Sequence, residues 1–180
     1  ETFNTAKIFH EQSIRRLFHN FKSVNEFDFG NGQKSFLAYQ EVNRLFADTV
    51  QQNLKSQDEQ GFKQSNSELI WIHNSDLLLL PNLLRKKKHN TNIGFSLHSP
   101  WPSTDVFKMF PYRMEVLRSL MCCDLISFHL FEYARNFYTA VTRMLDVRQQ
   151  FRQGGILGIE YHGRFVPLRV SHIGVDLKEV

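Results

Sequence analysis

Cysteine is scarce in this sequence of 180 residues, and the two cysteines present, Cys122 and Cys123, are neighbours. Adjacent cysteines rarely bridge each other, so no disulfide framework can be drawn. The sequence therefore favours a reducing compartment, and we expect a cytoplasmic protein. Long hydrophobic runs are also missing. The longest, from Leu77 to Leu84, is far shorter than the roughly 20 residues that span a bilayer, so we expect no membrane partner.

The motifs of several site classes are missing as well. The sequence has no glycine-rich phosphate loop and no nucleophile elbow, and Gly154-Gly155 lacks the strand, loop and helix order that a phosphate loop requires. None of the eight histidines are paired at ligand spacing on one predicted helix, so we expect no metal site. The net charge is +4, and the one dense basic run, Arg85 to Lys88, is typical of a helix end. Nucleic acid is therefore not an expected partner.

The overall composition is that of a globular domain. Hydrophobic residues make up 42% of the chain and charged residues 22%. A chain of this length can bury a proper core, so we predict a single domain over residues 1–180. The sequence begins with Glu1 rather than Met and stops soon after Gly174. We interpret it as a piece of a longer protein.

Apolar runs alternate with amphipathic segments along the chain. Helices are predicted over 5–21, about 35–54, the Leu-rich run that ends at 85, 104–109, 112–122 and 132–145, with loops at 25–33 and 51–67. Strands are predicted at 69–73, 93–98 and 124–129, with a β-hairpin at 158–170 and a last short strand ending at 174. Residues 99–103 contain two prolines and cannot be regular. This alternation indicates an α/β fold with a parallel sheet and the hairpin as an insertion.

Two predicted strands end in a histidine that is followed by small polar residues: His73 before Asn74-Ser75-Asp76, and His98 before Ser99. Because the C-terminal ends of parallel strands face the ligand crevice, both histidines are expected at one rim. Position alone leaves two roles open for each: an imidazole aimed into a substrate cleft, or a histidine bonded to loop backbone. Asp76 could be a carboxylate in the cleft, but capping of the following helix is the favoured role.

Short segments spread over nearly the whole chain carry a family pattern. They are Phe36-Leu37-Ala38-Tyr39 with Asn43, Phe46-Ala47-Asp48, Ile70-Trp71-Ile72-His73, Leu79-Leu80-Pro81 with Leu84-Arg85, Gly94-Phe95, Leu97-His98-Ser99-Pro100 with Pro102-Ser103, Asp124-Leu125-Ile126, Phe128-His129, Tyr133-Ala134-Arg135 with Phe137, Ile159-Glu160-Tyr161 with Gly163-Arg164, and Ile173-Gly174. In this order and spacing they resemble the trehalose-6-phosphate synthases of glycosyltransferase family 20. The resemblance is strongest to plant-type members, which join a synthase-like to a phosphatase-like domain.

The resemblance implies most of the N-terminal, Rossmann-like half of a GT-B glycosyltransferase. In the family that half holds the acceptor, glucose 6-phosphate, while the C-terminal half supplies most contacts to the donor, UDP-glucose. The transfer retains anomeric configuration, needs no metal or other cofactor, and yields trehalose 6-phosphate. The histidine that matches His98 reaches the sugar at the reaction centre, where its hydrogen bond would stabilise developing charge, so His98 is the catalytic candidate. The expected partners are the C-terminal half and a phosphatase-like domain in the same protein.

Several ligand positions depart from the family pattern. Where the family has Asp-Tyr-His, this chain has Asn74-Ser75-Asp76, and an amide cannot supply the negative charge of the aspartate that contacts the acceptor sugar. Arg15-Arg16 replaces a Trp-Pro pair whose tryptophan lines the acceptor pocket, and that tryptophan's tyrosine partner falls on Ala6. A family glycine beside the third strand is Ser127. The donor-binding residues lie outside this chain, which is expected to be inactive by itself.

These departures support three hypotheses. The first is a synthase-like domain with weak or absent activity that regulates, or acts as a scaffold for, an attached phosphatase domain. The second is a working glycosyltransferase with a modified acceptor pocket, in which His98 acts on the donor sugar and Arg15 or Arg16 replaces lost acceptor contacts. The third is an interaction module that binds no ligand. The substrate-binding candidates are His73, Asn74, Asp76 and Arg15, the last as a possible phosphate ligand.

Overall fold

The computed structural model describes residues 1–19, 29–59, 68–87, 91–147, 149–152, 156–172 and 174. Within that part of the chain the helices are α1 (Thr2–Phe9), α2 (Arg16–Phe18), α3 (Phe29–Glu59), α4 (Leu80–Lys87), α5 (Thr104–Phe107), α6 (Arg113–Leu120) and α7 (Phe131–Leu145). A π-helical segment, His10–Arg15, joins α1 to α2, and a 3-10 turn, Ser75–Leu77, precedes α4. The strands are β1 (Leu69–His73), β2 (Asn92–Leu97), β3 (Leu125–Phe128), β4 (Gln149–Arg152), β5 (Ile156–Tyr161) and β6 (Arg164–Val170).

The strands form one sheet in the order β1-β2-β3-β6-β5-β4. The first four of these are parallel neighbours. At one side of the sheet β5 pairs antiparallel with β6, and β4 pairs antiparallel with β5. The register places His73 beside Ser96, and Phe128 lies between Leu97 and Val170. The C-terminal ends of β1, β2, β3 and β6 therefore meet at one edge. The predicted parallel α/β sheet is confirmed.

The predicted hairpin is present, but it is not an insertion. Its second strand, β6, pairs in parallel with β3 through residues 168–170 and so belongs to the central sheet. The separate last strand is also wrong, because residues 171, 172 and 174 lie in no strand; residue 173 lies outside the described residues. Strand β4, which pairs with β5, was not predicted.

Two helices differ from their predicted bounds by the largest margins. The first helical stretch begins at Thr2 and ends at Phe18, and residues 20 and 21 of the prediction lie outside the described part of the chain. Helix α3 includes residues 29–33 and 51–59, which belong to the two predicted loops. The remaining residues of these loops, 25–28 and 60–67, lie outside the described part of the chain. The segment 51–59 has few apolar residues, yet its Gln, Leu, Lys and Glu residues are good helix formers, so propensity extends the helix beyond its apolar stripe.

The buried face of α3 departs from the predicted stripe in its second half. Phe36, Tyr39 and Val42 are buried as predicted, but Leu45 and Phe46 are 48% and 41% exposed. The buried face continues instead through Asn43 and Ala47. At this position the Asn43 side chain hydrogen-bonds to the backbone that follows β1. No helix of the described residues is long and apolar enough to cross a membrane.

The segment after β2 is irregular as predicted, and it buries a tryptophan. Trp101 is 1% exposed. Its ring centroid lies 5.1 Å from that of Phe18 and 4.8 Å from those of Phe107 and Phe137. Aromatic packing of this kind contributes roughly 1 kcal/mol per pair beyond simple burial. The loop that carries His98 is therefore anchored in the core by Trp101.

Candidate functional site

Helix α3 holds the turn that follows β1. The Tyr39 hydroxyl donates to the Ser75 carbonyl (2.9 Å) and accepts from the Leu78 amide (3.0 Å). Asn43, one helical turn later, donates to the Tyr39 carbonyl and accepts from the Leu79 amide (3.2 Å). Burial raises the pKa of Tyr39, so its hydroxyl keeps the proton that it donates. Two side chains on one helix face thus fix residues 75–79.

Asn74 lies between β1 and this turn in a strained conformation. Its φ of 64° and ψ of −174° form a combination that is usual only for glycine. Its backbone amide donates to the Ser96 carbonyl at 2.8 Å, which holds the residue in place. Its Oδ1 is buried and has no hydrogen-bond partner among the described residues. Strain and an unsatisfied polar atom at one residue are typical of functional sites.

The capping role predicted for Asp76 is wrong. The residue that precedes the 3-10 turn is Asn74, and it makes no side-chain cap. Asp76 lies inside the turn with its side chain 61% exposed, and its Oδ1 is 3.5 Å from His10 Nδ1. Asp76 is thus turned towards the π-helical segment and not towards the start of α4. Asp76 lines a cavity at this end of the sheet, and the alternative role, a carboxylate in a substrate cleft, stays a prediction.

A cavity of about 370 Å³ opens at this end of the sheet. Four of the five predicted site residues line it: Arg15, Asn74, Asp76 and His98. The fifth, His73, hydrogen-bonds to His98 at the same rim (2.9 Å). The structure thus places His73 and His98 at one rim, as predicted, whereas their roles towards a ligand stay predictions.

Three residues of the π-helical segment and the turn add polar contacts that the sequence did not predict. Arg15 Nη1 donates to Glu11 Oε2 at 2.7 Å, and this bond lowers the pKa of Glu11. His10 Nε2 lies 2.8 Å from Ser75 Oγ, and both side chains are buried. His10 and Ser75 are 65 positions apart, so no local pattern could reveal this pair. The charged side chains on the lining are the carboxylates of Glu11 and Asp76 and the guanidinium of Arg15, and three histidines, His10, His19 and His98, lie among them.

Three histidines at the C-terminal ends of neighbouring strands form a hydrogen-bonded histidine row. His73 is the last residue of β1, His98 directly follows β2, and His129 directly follows β3. His73 Nδ1 lies 2.9 Å from His98 Nε2, and His98 Nδ1 lies 2.8 Å from His129 Nε2. The rings of His73 and His98 are stacked, with centroids 5.2 Å apart. Partial desolvation lowers the pKa of His98, with smaller contributions from His129 and His73.

Both ring nitrogens of His98 bond to other histidines, and its side chain lines the cavity. Among the described residues it is therefore not bonded to loop backbone, and its action on a substrate stays a prediction. His129 was not predicted as a site residue. A signal was available, because Phe128-His129 ends the third predicted strand as His73 and His98 end the first two.

Comparison with known proteins identifies the family. The model of glycosyltransferase family 20 matches residues 2–180. The chain belongs to glycosyltransferase family 20. It is 38% identical over 143 residues to alpha,alpha-trehalose-phosphate synthase (UDP-forming) 5 of Arabidopsis thaliana, a match that covers 79% of this chain and 15% of that protein.

Solved structures of the family share the fold. The chain superposes with a TM-score of 0.82 and 22% identity on an alpha,alpha-trehalose-phosphate synthase (UDP-forming) from Burkholderia xenovorans in complex with glucose-6-phosphate, covering 99% of this chain and 37% of that one. It superposes with a TM-score of 0.79 and 24% identity on the N-terminal domain of a trehalose-6-phosphate phosphatase from Candida albicans, covering 97% and 33%. The predicted Rossmann-like half of a GT-B fold is confirmed. The chain spans well under half the length of each.

Two of the family departures can be placed in the structure. Ala6, where the resemblance expects a tyrosine, is buried and lines a second cavity of about 330 Å³ that shares His10, Glu11 and Asp76 with the first. Ser127 lies on β3 between Ser96 and Arg169.

Proposed function

We propose that this chain is the acceptor-side half of a trehalose-6-phosphate-synthase-like domain within a larger protein, and that its synthase activity is weak or absent. The family reaction is transfer of glucose from UDP-glucose to glucose 6-phosphate. In this protein the domain would instead regulate, or act as a scaffold for, an attached phosphatase-like domain. The match to the N-terminal domain of a trehalose-6-phosphate phosphatase supports this role at the level of the fold.

The charge of the cavity beside His98 is the observation that carries the proposal. Glu11 and Asp76 are carboxylates on its lining, and the one guanidinium, Arg15, already pairs with Glu11. A phosphate dianion entering this cavity would meet two carboxylates and a guanidinium that is already paired, which disfavours binding. At the sugar-contacting position of the family, Asn74 offers an amide without charge. Both changes weaken the contacts that a sugar phosphate requires.

A second candidate is an active glycosyltransferase with a modified acceptor pocket. It is favoured by the position of Arg15, which lines the same cavity as His98 with a side chain that is 57% exposed. An incoming phosphate could compete with Glu11 for this guanidinium, because arginine binds phosphate in the same bidentate manner as carboxylate. In that case His98 would act on the donor sugar and Arg15 would hold the acceptor.

Release of UDP by the full-length protein tests the proposal directly. The protein is given UDP-glucose and glucose 6-phosphate, with His98→Ala as the matched control. We expect UDP release no faster than in the control. Release that disappears in His98→Ala would contradict the proposal and support the active glycosyltransferase.

Calorimetric titration with glucose 6-phosphate separates the remaining roles. Binding without UDP release supports a regulatory domain that senses the sugar phosphate. A folded protein that gives no binding heat supports the third hypothesis, an interaction module without a ligand. Glu11→Gln and Asp76→Asn each remove one negative charge from the cavity, and we expect each to tighten glucose 6-phosphate binding several-fold if the cavity is the site.

A further inference from the structure

The histidine row ends on a group whose hydrogen-bonding role is unambiguous. His129 Nδ1 lies 3.0 Å from the backbone carbonyl oxygen of Ser171, directly after β6. A carbonyl oxygen can only accept a hydrogen bond, so His129 Nδ1 must carry the hydrogen. In a neutral imidazole the other nitrogen is then an acceptor, so His129 Nε2 presents a lone pair to His98.

The tautomer of His129 determines the tautomers of the other two rings in turn. Because His129 Nε2 accepts, His98 Nδ1 must donate to it across 2.8 Å. The Nε2 of neutral His98 is then an acceptor, so His73 Nδ1 must donate to it across 2.9 Å. All three neutral histidines therefore carry their hydrogen on Nδ1. Both ring nitrogens of His98 are engaged, and His73 Nε2 has no partner among the described residues.

We propose that His129 is a positioning residue. Its bond to the Ser171 carbonyl sets the hydrogen-bond direction of the whole row, so that the free lone pair of the row is presented by His73 Nε2 and not by His98. This goes beyond the proposed function and holds whether or not the protein transfers a sugar.

The arrangement of the three rings fits a single hydrogen-bond direction along the histidine row. His73 and His98 are stacked with an interplanar angle of 8°, and His98 and His129 lie with centroids 4.9 Å apart at 42°. The pKa of His98 is lowered, which favours the neutral form that the argument requires. A hydroxyl group that binds to the row then donates to His73 Nε2. His98 can bind a ligand through a ring nitrogen only by giving up a bond to a neighbouring histidine.

Nitrogen-15 NMR of the full-length protein, labelled only at histidine, tests this assignment without any ligand. A long-range proton–nitrogen correlation distinguishes the two tautomers, because a non-protonated ring nitrogen resonates far downfield of a protonated one. The three signals are assigned from their loss in His73→Gln, His98→Gln and His129→Gln. We expect the Nδ1–H tautomer for all three above the pH at which they protonate. An Nε2–H tautomer at His98 in the native protein would overturn the proposal.

Two substitutions at His129 show whether it sets the direction. Gln can place an acceptor oxygen near the former Nε2, so His129→Gln is expected to keep His98 in the Nδ1–H tautomer. Leu offers no acceptor, so in His129→Leu we expect His98 to switch to Nε2–H and His73 to follow. Circular dichroism checks that both variants are folded. A folded His129→Leu protein in which His73 and His98 keep Nδ1–H would overturn the positioning role, because a merely structural residue does not alter a neighbour's tautomer. If His129→Leu does not fold, the native tautomers still decide the direction of the row.

Discussion

At the scale of single residues, Asn74 combines a strained backbone with a buried and unsatisfied side-chain oxygen. Replacing it with glycine removes both, because glycine occupies this backbone region freely and has no amide. The relief of strain is about 1–3 kcal/mol, and glycine's greater freedom in the unfolded chain offsets roughly 0.5–1 kcal/mol of it. We expect Asn74→Gly to raise the free energy of unfolding in urea by about 1 kcal/mol.

Asn74→Ala is the matched control for this prediction. Alanine also removes the unsatisfied amide oxygen, but it keeps a β-carbon at a φ of 64°, where such residues are strained. We therefore expect the alanine variant to be less stable than the glycine variant by about 1 kcal/mol. Equal stabilities of the two variants would show that the backbone at residue 74 carries no strain.

The sequence predicts some site residues and misses others for a physical reason. His73 and His98 follow predictable strands, and parallel strands bring their ends together, so their neighbourhood could be inferred. Asp76 was assigned to capping because Asn-Ser-Asp fits a cap locally, whereas the structure turns it towards His10. The His10–Ser75 bond joins α1's continuation to the β1 turn, and only the tertiary fold decides such a contact.

At the scale of elements, the β5–β6 hairpin depends on a glycine that packs closely. Gly158 lies opposite Pro167, and a β-carbon added to Gly158 would meet the Phe165 ring and lie 2.8 Å from the Val166 carbonyl oxygen. The ring could turn aside, but the backbone oxygen belongs to the paired strand and cannot move without disturbing the sheet. Overpacking of this kind destabilises by about 1–3 kcal/mol, and we expect that loss for Gly158→Ala in thermal or urea unfolding.

Gly32→Ala is the control for an added methyl group. Gly32 lies in α3, and a β-carbon there would meet nothing within 4 Å. Since alanine is a better helix former than glycine by up to about 1 kcal/mol, we expect Gly32→Ala to stabilise the protein slightly. Destabilisation by both substitutions to a similar extent would contradict the account of Gly158 by close packing.

The elements themselves were predicted best where local signals were strong. The turn at His162-Gly163 was predicted from sequence, and both residues have the positive φ values, 49° and 75°, that tight hairpin turns require. The end of α3 was missed, because its polar last turns carry no apolar period. The role of β6 was missed for another reason: its pairing with β3 joins residues about 40 positions apart, and only the sheet's topology shows it.

At the scale of the whole molecule, one carboxylate joins elements that are distant in sequence. Asp124, just before β3, accepts from Arg85 on α4 at 2.6 Å, from Arg164 on β6 at 2.6 Å and from the backbone amide of Ile93 on β2 at 2.8 Å. Both guanidinium groups also donate to the Cys122 carbonyl. This cluster ties the entry of β3 to both of its neighbouring strands and to α4, so it braces the centre of the parallel sheet.

Neutralising Asp124 should therefore destabilise the entire fold and not one element. Asp124→Asn keeps the size of the side chain but removes the negative charge that Asp124 presents to Arg85 and Arg164. Breaking a fully buried ion pair costs about 3–5 kcal/mol, and because the Asp124 side chain is 39% exposed we expect a loss of roughly 2 kcal/mol in urea unfolding, in one cooperative transition. Glu41→Gln, which removes the exposed pair with Arg44 on α3, is the control and should cost much less, because solvent screens an exposed ion pair. A loss no larger than the control's would mean that the cluster contributes no more than a surface ion pair, and the sheet would then depend on its apolar packing alone.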